Sequence, residues 1–98
     1  MTTPAVTLPP KERLILELLT EGPDFGLRLV ERSSGALKRG TVYVTLGRMQ
    51  RKGFIQSEVE PSPAGAIGLP RRIYSVTPLG VRALRAWSQF SKALAWVE

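Results

Sequence analysis

The chain has 98 residues, a formal net charge of +6, and neither cysteine nor histidine. A chain of this length folds as one small domain with a single modest core. Without cysteine and histidine, the chain can form no disulfide and offers no thiolate or imidazole ligand to a metal. It also lacks the commonest general base. We therefore expect no metal, no cofactor and no enzymatic activity.

The sequence carries no sign of secretion or membrane insertion. The stretch 1–8 has no positive charge ahead of an apolar run, and no uninterrupted apolar run is long enough to span a membrane. We therefore expect a cytoplasmic protein that has no membrane partner.

The positive charge is concentrated in two parts of the chain. Residues 1–31 contain five acidic and three basic residues, whereas residues 32–57 contain six basic residues and no acid. A second basic block, residues 61–97, contains five basic residues and again no acid. This segregation suits a polyanion, because each phosphate neutralised by Lys or Arg releases condensed counterions. A solvated basic surface without a partner would have the same composition, so the residue pattern has to decide.

The first part of the chain predicts two helices after a flexible N-terminal arm over residues 1–8. Two prolines precede KERLILELLTEG (residues 11–22), whose apolar stripe and terminal glycine predict the first helix. Asp24 is placed to cap a second helix, FGLRLVERSSG (residues 25–35), with Phe25 pointing into the core.

The run KRGTVYVTLGRMQRKGFI, residues 38–55, predicts a basic helix that leads directly into a strand. At about 3.6 residues per turn, its apolar and polar side chains fall on opposite sides. The inner side carries Val42, Leu46 and Met49. The outer side has no acid and carries Thr41, Thr45, Arg48 and Lys52. A helix, a short turn and a basic helix in this order are the ingredients of a helix-turn-helix.

Beyond the basic helix, the sequence predicts a hairpin with a long tip. Ile55 and Val59 alternate with polar residues as in a half-buried strand, and RRIYSV (residues 71–76) repeats the pattern with Tyr74 inward. The intervening PSPAGAIGLP (residues 61–70) contains three prolines and two glycines and cannot continue a strand. This hairpin predicts the two-stranded wing of a winged helix.

Thr77 and Pro78 form a cap and first-turn pair that opens a last helix. The apolar stripe of this helix is long for so small a core, and such a face usually covers a second copy of the chain. The helix therefore predicts a homodimer, the alternative being that it folds back on its own domain. The candidate residues for the dimer interface, or for a ligand between paired helices, are Leu84, Trp87, Phe90, Leu94, Trp96 and Val97.

Three helices, a hairpin and a final helix make up a winged helix-turn-helix, an α+β fold that is mainly helical. The motifs LLTEGPDFGLRL, RGTVYVTLGRMQRKGFI and RRIYSVTPLGVRAL, in this order, resemble the PadR family of transcriptional regulators over about residues 9–86. The single C-terminal helix resembles the short members of that family. We expect the arm at residues 1–8, the winged domain at 9–77 and the dimerisation helix at 78–98.

The resemblance implies a dimeric, usually repressing, DNA-binding protein whose C-terminal helices make the dimer contacts. It also implies that a small aromatic effector is an option, since some members of the family bind one. It supports Tyr43 especially as a DNA contact.

The candidate DNA-binding residues lie on the basic helix, before it and at the base of the wing. Because the N-terminal part of a recognition helix enters the major groove, the expected groove contacts are Thr41, Tyr43, Thr45 and Arg48. Val44, on the same helix, is a further candidate DNA-binding residue. Arg48 suits guanine, and Thr45 suits a thymine methyl group or a phosphate. The expected phosphate or minor-groove contacts are Lys38, Arg39, Arg51, Lys52, Arg71 and Arg72.

The function that this pattern predicts is binding of a homodimer to an inverted-repeat operator of double-stranded DNA, and the resemblance implies that the bound protein is a repressor. Two alternatives stay open: a winged helix that binds an acidic protein partner, and a sequence-nonspecific architectural or RNA-binding protein. An enzyme is disfavoured, because the acidic residues of the first two helices form no motif with a nucleophile. We expect these residues to lie on an ordinary solvated face. They are Glu12, Glu17, Glu21, Asp24 and Glu31.

Overall fold

A computed structural model describes residues 8–60 and 71–95 of the chain. Its helices and strands, in chain order, are α1 (Pro10–Thr20), β1 (Asp24–Phe25), α2 (Gly26–Arg32), α3 (Val42–Arg51), β2 (Ile55–Val59), β3 (Arg72–Val76) and α4 (Pro78–Ala95). The predicted α+β winged helix-turn-helix is confirmed. The wing tip, most of the N-terminal arm, Trp96 and Val97 lie outside the described residues.

The described strands form one antiparallel sheet in the order β1-β3-β2. The predicted hairpin pairs Ile55 with Val76 and Val59 with Arg72. The two-stranded wing is thus present, and a third strand that the sequence did not predict pairs Phe25 with Ile73 on the other edge of β3. Phe25 therefore belongs to a strand instead of the second helix.

The Asp24 side chain does not cap α2, contrary to the prediction. Its carboxylate accepts hydrogen bonds from the backbone N–H of Phe25 (2.8 Å) and from Nη1 of Arg32 (2.7 Å). Arg32 also donates to Glu21 Oε1 (2.9 Å) and to the carbonyl of Leu18 (3.2 Å). The hydrogen bond that Arg32 donates to Asp24 is the main reason why the pKa of Arg32 is raised above its ordinary value. Arg32 thus joins α1, β1 and α2, and neither it nor Asp24 is a freely solvated charge.

The core lies where the three N-terminal helices meet the sheet. It consists of Leu8, Ile15, Leu16, Leu19, Leu29, Leu37, Val42, Leu46, Met49, Ile55 and Tyr74. Leu8, the last residue of the expected arm, is buried in this core. Val59 was expected to point inward but is exposed, because it lies at the far end of β2 from the helices that cover Ile55.

The end of α3 is joined directly to the start of α4. Gly53 ends α3 with a φ of +82°, in the left-handed region that favours glycine. The Thr77 hydroxyl donates to the Gly53 carbonyl (2.5 Å) and accepts from the backbone N–H of Gly80 (3.1 Å), so the predicted cap at Thr77 is confirmed. The N–H of Thr77 donates to the Phe54 carbonyl (3.0 Å). The last helix therefore begins at a fixed place beside the basic helix.

The two halves of α4 have different surroundings. Leu84 and Trp87 pack against the domain's own core, and the Arg13 guanidinium lies 5.1 Å from the centre of the Trp87 ring. From Ser88 to Leu94, every side chain is exposed. The first half therefore folds back on its own domain, which covers Leu84 and Trp87 in part and leaves their assignment to a dimer interface a prediction. None of the described helices combines the length and the apolar character needed to cross a membrane.

Candidate DNA-binding surface

The exposed side of α3 is set by the residues that it buries. Val42, Leu46 and Met49 are buried as predicted, but Thr45 is only 9% exposed and its hydroxyl turns back to the Thr41 carbonyl (3.4 Å). The expectation that Thr45 faces outward is wrong. At about 100° per residue, Thr45 falls beside Met49, about 40° outside the arc spanned by the three apolar residues. It therefore lies at the edge of the buried side and is drawn into the helix packing.

The outward side of α3 carries two apolar residues followed by two cations. Tyr43 and Val44 are 50% and 60% exposed, and they lie in the first turn. Arg48 and Arg51 follow on the next turns and are exposed. The helix contains no acid, and within the described residues neither arginine forms a salt bridge. Such a surface offers charge for phosphates together with side chains that can read base edges.

The segment before α3 adds two more cations. Lys38 and Arg39 are exposed, and neither belongs to a salt bridge formed within the described ranges. Thr41 is also exposed and precedes the first residue of α3. The structure therefore brings the predicted residues of this segment together at the N-terminal end of α3.

Lys52 has a partner that the sequence pattern did not reveal. Its ammonium lies 3.0 Å and 3.1 Å from the two carboxylate oxygens of Glu12, whose side chain is 1% exposed. This ion pair corrects two expectations: Glu12 is not on a solvated face, and the charge of Lys52 is not freely available to a phosphate. The pair connects α1 to the C-terminal end of α3.

The two arginines at the base of the wing differ in their contacts. The Arg71 guanidinium lies 3.2 Å from Glu60 and 4.1 Å from the centre of the Phe25 ring. Arg72 donates to the Ser57 hydroxyl (3.1 Å), which donates in turn to the Gln50 side chain (3.1 Å). These hydrogen bonds join both wing strands to α3. Among the residues that the structure describes, Arg71 is paired with Glu60, whereas Arg72 forms no salt bridge.

Tyr74 is buried beneath this surface, and its neighbours shift the pKa of its phenol. Burial raises the pKa of the Tyr74 phenol, the nearby Arg72 charge lowers it, and the Tyr43 phenol raises it. Tyr43 and Arg72 therefore both approach Tyr74, from α3 and from the wing. Within the described part of the chain, no cluster of acidic side chains could hold a metal ion.

Residues 15–86, most of the chain, match the family model of the PadR-like transcriptional regulators. The chain belongs to this family. The predicted family is thereby confirmed, and membership of a family of transcriptional regulators agrees with the expectation that the protein is not an enzyme. No protein of curated function matches the sequence.

Solved structures of PadR family members share the fold. A regulator from Clostridium difficile R20291 is 27% identical with a TM-score of 0.72, covering 87% of this chain and 90% of its own. A regulator from Eggerthella lenta is 23% identical with a TM-score of 0.69, and the match covers 87% of this chain and 77% of the regulator. Bacillus subtilis PadR, solved with operator DNA, is 21% identical with a TM-score of 0.72, and the match covers 83% of this chain and 48% of that PadR chain. At such identities the last two show the common fold alone.

Proposed function

We propose that this PadR-like chain acts in the cytoplasm as a homodimeric repressor that binds an inverted-repeat operator. The observation that carries the proposal is the outward side of α3, which combines Tyr43, Val44, Arg48 and Arg51 without any acid. The fold shared with the operator-bound PadR of Bacillus subtilis supports DNA as the partner.

In this proposal the first two turns of α3 read bases in the major groove. Arg48 is suited to a bidentate pair with guanine. The apolar contact with a thymine methyl group, first expected of Thr45, is assigned to Val44, because Val44 is exposed and Thr45 is buried. Tyr43, in the same turn, extends the reading surface.

Phosphate contacts come from cations whose charge is not compensated inside the protein. Lys38 and Arg39 lie before α3, Arg51 lies at its end, and Arg72 lies on the wing. Arg71 is a weaker candidate because it is paired with Glu60. These contacts set affinity and position on the duplex, and they make binding sensitive to salt.

The second half of α4 is the proposed dimer interface. Phe90 and Leu94 lie one turn apart, are 53% and 56% exposed, and lie beyond the part of α4 that packs on the core. A second copy would cover the same residues in a symmetric contact and place two recognition helices about one helical turn of DNA apart, or a multiple of it. The proposal includes no effector.

Two arginine variants test the proposal. We expect Arg48→Ala to weaken binding to the preferred duplex by roughly 10- to 100-fold and to change random-sequence binding little, since it removes a base contact. Arg51→Ala, the matched control, should weaken both duplexes alike and reduce the salt slope by about one per protomer. Fluorescence anisotropy at several salt concentrations measures both.

Equal losses for the two variants on specific and random duplexes would contradict the assignment of Arg48 to bases. If the wild-type protein binds every duplex equally with a steep salt dependence, the protein is a sequence-nonspecific binder. If it retards no duplex at low salt, the surface serves an acidic protein partner.

A further inference from the structure

The Tyr43 ring lies against the backbone of Gly26, the first residue of α2. A Cβ atom built on Gly26 would lie 2.7 Å from Cε1 of Tyr43 and 2.9 Å from both Cζ and the phenol oxygen. Carbon atoms in contact are normally about 3.5 to 4.0 Å apart. The ring therefore occupies the space that any other residue at position 26 would fill.

The backbone itself does not require glycine at position 26. Glycines in the left-handed region are Gly22, Gly35 and Gly53, and Gly26 is not among them. In a helix, glycine is less favourable than alanine by up to about 1 kcal/mol. The close approach of the Tyr43 ring therefore explains why position 26 is a glycine.

The contact involves the movable end of an exposed side chain. Tyr43 is 50% exposed, and the atoms that meet Gly26 are the outermost atoms of its ring. A methyl group at position 26 would push the ring toward solvent, because rotation of the side chain costs little compared with a shift of the backbone. The direction of Tyr43 is therefore set by its contact with α2, and a change of that direction leaves the core undisturbed.

We propose that Gly26 is a positioning residue for DNA reading, which holds the Tyr43 phenol in one direction by having no side chain. The inference rests on the proposed function, in which the outward side of α3 contacts DNA. Gly26 itself is buried and touches no DNA. It links the first helix of the helix-turn-helix to the reading surface of the second.

A double-mutant cycle with Gly26→Ala and Tyr43→Ala tests the proposal. We expect Gly26→Ala to keep or slightly raise the thermal midpoint and to weaken binding to the preferred duplex by about tenfold or more, close to the loss caused by Tyr43→Ala. The double variant should bind no worse than Tyr43→Ala alone, because the ring that alanine displaces is already gone. Gly40→Ala is the control, since a Cβ at exposed Gly40 meets nothing within 4 Å.

Independent losses that multiply in the double variant would overturn the proposal, as would wild-type affinity in Gly26→Ala. A large fall in the midpoint of Gly26→Ala that is recovered in the double variant would also overturn it, because the contact would then govern packing instead of reading. If the wild-type protein binds no duplex, both this inference and the proposed function fail. If the wild-type protein binds its preferred duplex but Gly26→Ala is unaffected, only this inference fails.

Discussion

Replacing Lys52 with alanine is expected to destabilise the fold by roughly 3 kcal/mol, more than an exposed charge would. Glu12 is 1% exposed, and both of its carboxylate oxygens accept from the Lys52 ammonium. Without Lys52, the buried carboxylate would have no partner, and breaking a buried pair from one side costs about 3 to 5 kcal/mol. The lower end applies, because Lys52 is partly exposed and water would reach the carboxylate. Urea unfolding of the free protein measures the difference.

Arg51→Ala is the matched control for this prediction, because Arg51 is exposed, adjacent in sequence and carries the same charge. It should change the free energy of unfolding by less than about 0.5 kcal/mol. The double variant Glu12→Leu with Lys52→Met should recover most of the stability, since apolar residues of similar size often replace a buried pair without loss. Equal destabilisation by Lys52→Ala and Arg51→Ala would contradict a structural role for the pair.

Replacing Phe90 with aspartate is expected to convert a dimer into a monomer and to weaken operator binding by roughly 100-fold or more. In the proposed dimer, Phe90 lies in an apolar contact between two copies of α4, where a carboxylate would lose its hydration without a partner. A monomer engages one half-site at a time and loses the effective concentration that joins the two, an advantage of about 10²- to 10⁴-fold. Light scattering gives the mass, and anisotropy on the preferred duplex gives the affinity.

Gln89→Asp introduces the same charge at the neighbouring exposed position, which is polar in the native chain. It should leave both the mass and the affinity close to those of the wild-type protein. A wild-type monomer at micromolar concentration, or a Phe90→Asp protein that stays dimeric, would show that the second half of α4 is not the interface.

The longer elements could be predicted from the sequence, because their periodicity is strong. The basic helix, its end at Gly53, the hairpin and the cap at Thr77 all follow from local patterns and are present in the structure. Strand β1 could not be predicted in this way. It has only two residues, Asp24 and Phe25, and its conformation depends on pairing with β3, almost fifty residues away in the chain.

The candidate site was predicted in its location but not in its orientation. Centring the buried arc of α3 on Val42, Leu46 and Met49 puts Thr45 at the edge of that arc, next to Met49, and turns Tyr43 to the side and Val44 outward. The burial of Glu12 had a similar signal, since its spacing from Ile15, Leu16 and Leu19 places it on the inner side of α1. Its pairing with Lys52, forty residues later, depends on how α1 and α3 pack and leaves no local trace.

Selection of duplexes from a random library by the wild-type protein, followed by hydroxyl-radical footprinting, tests the central claim most directly. If two copies of the outward side of α3 read DNA together, the selected duplexes share an inverted repeat. The footprint then shows two protected segments about one helical turn apart, or a multiple of it. Recovery of unrelated sequences with uniform protection, or a single half-site without symmetry, would contradict it.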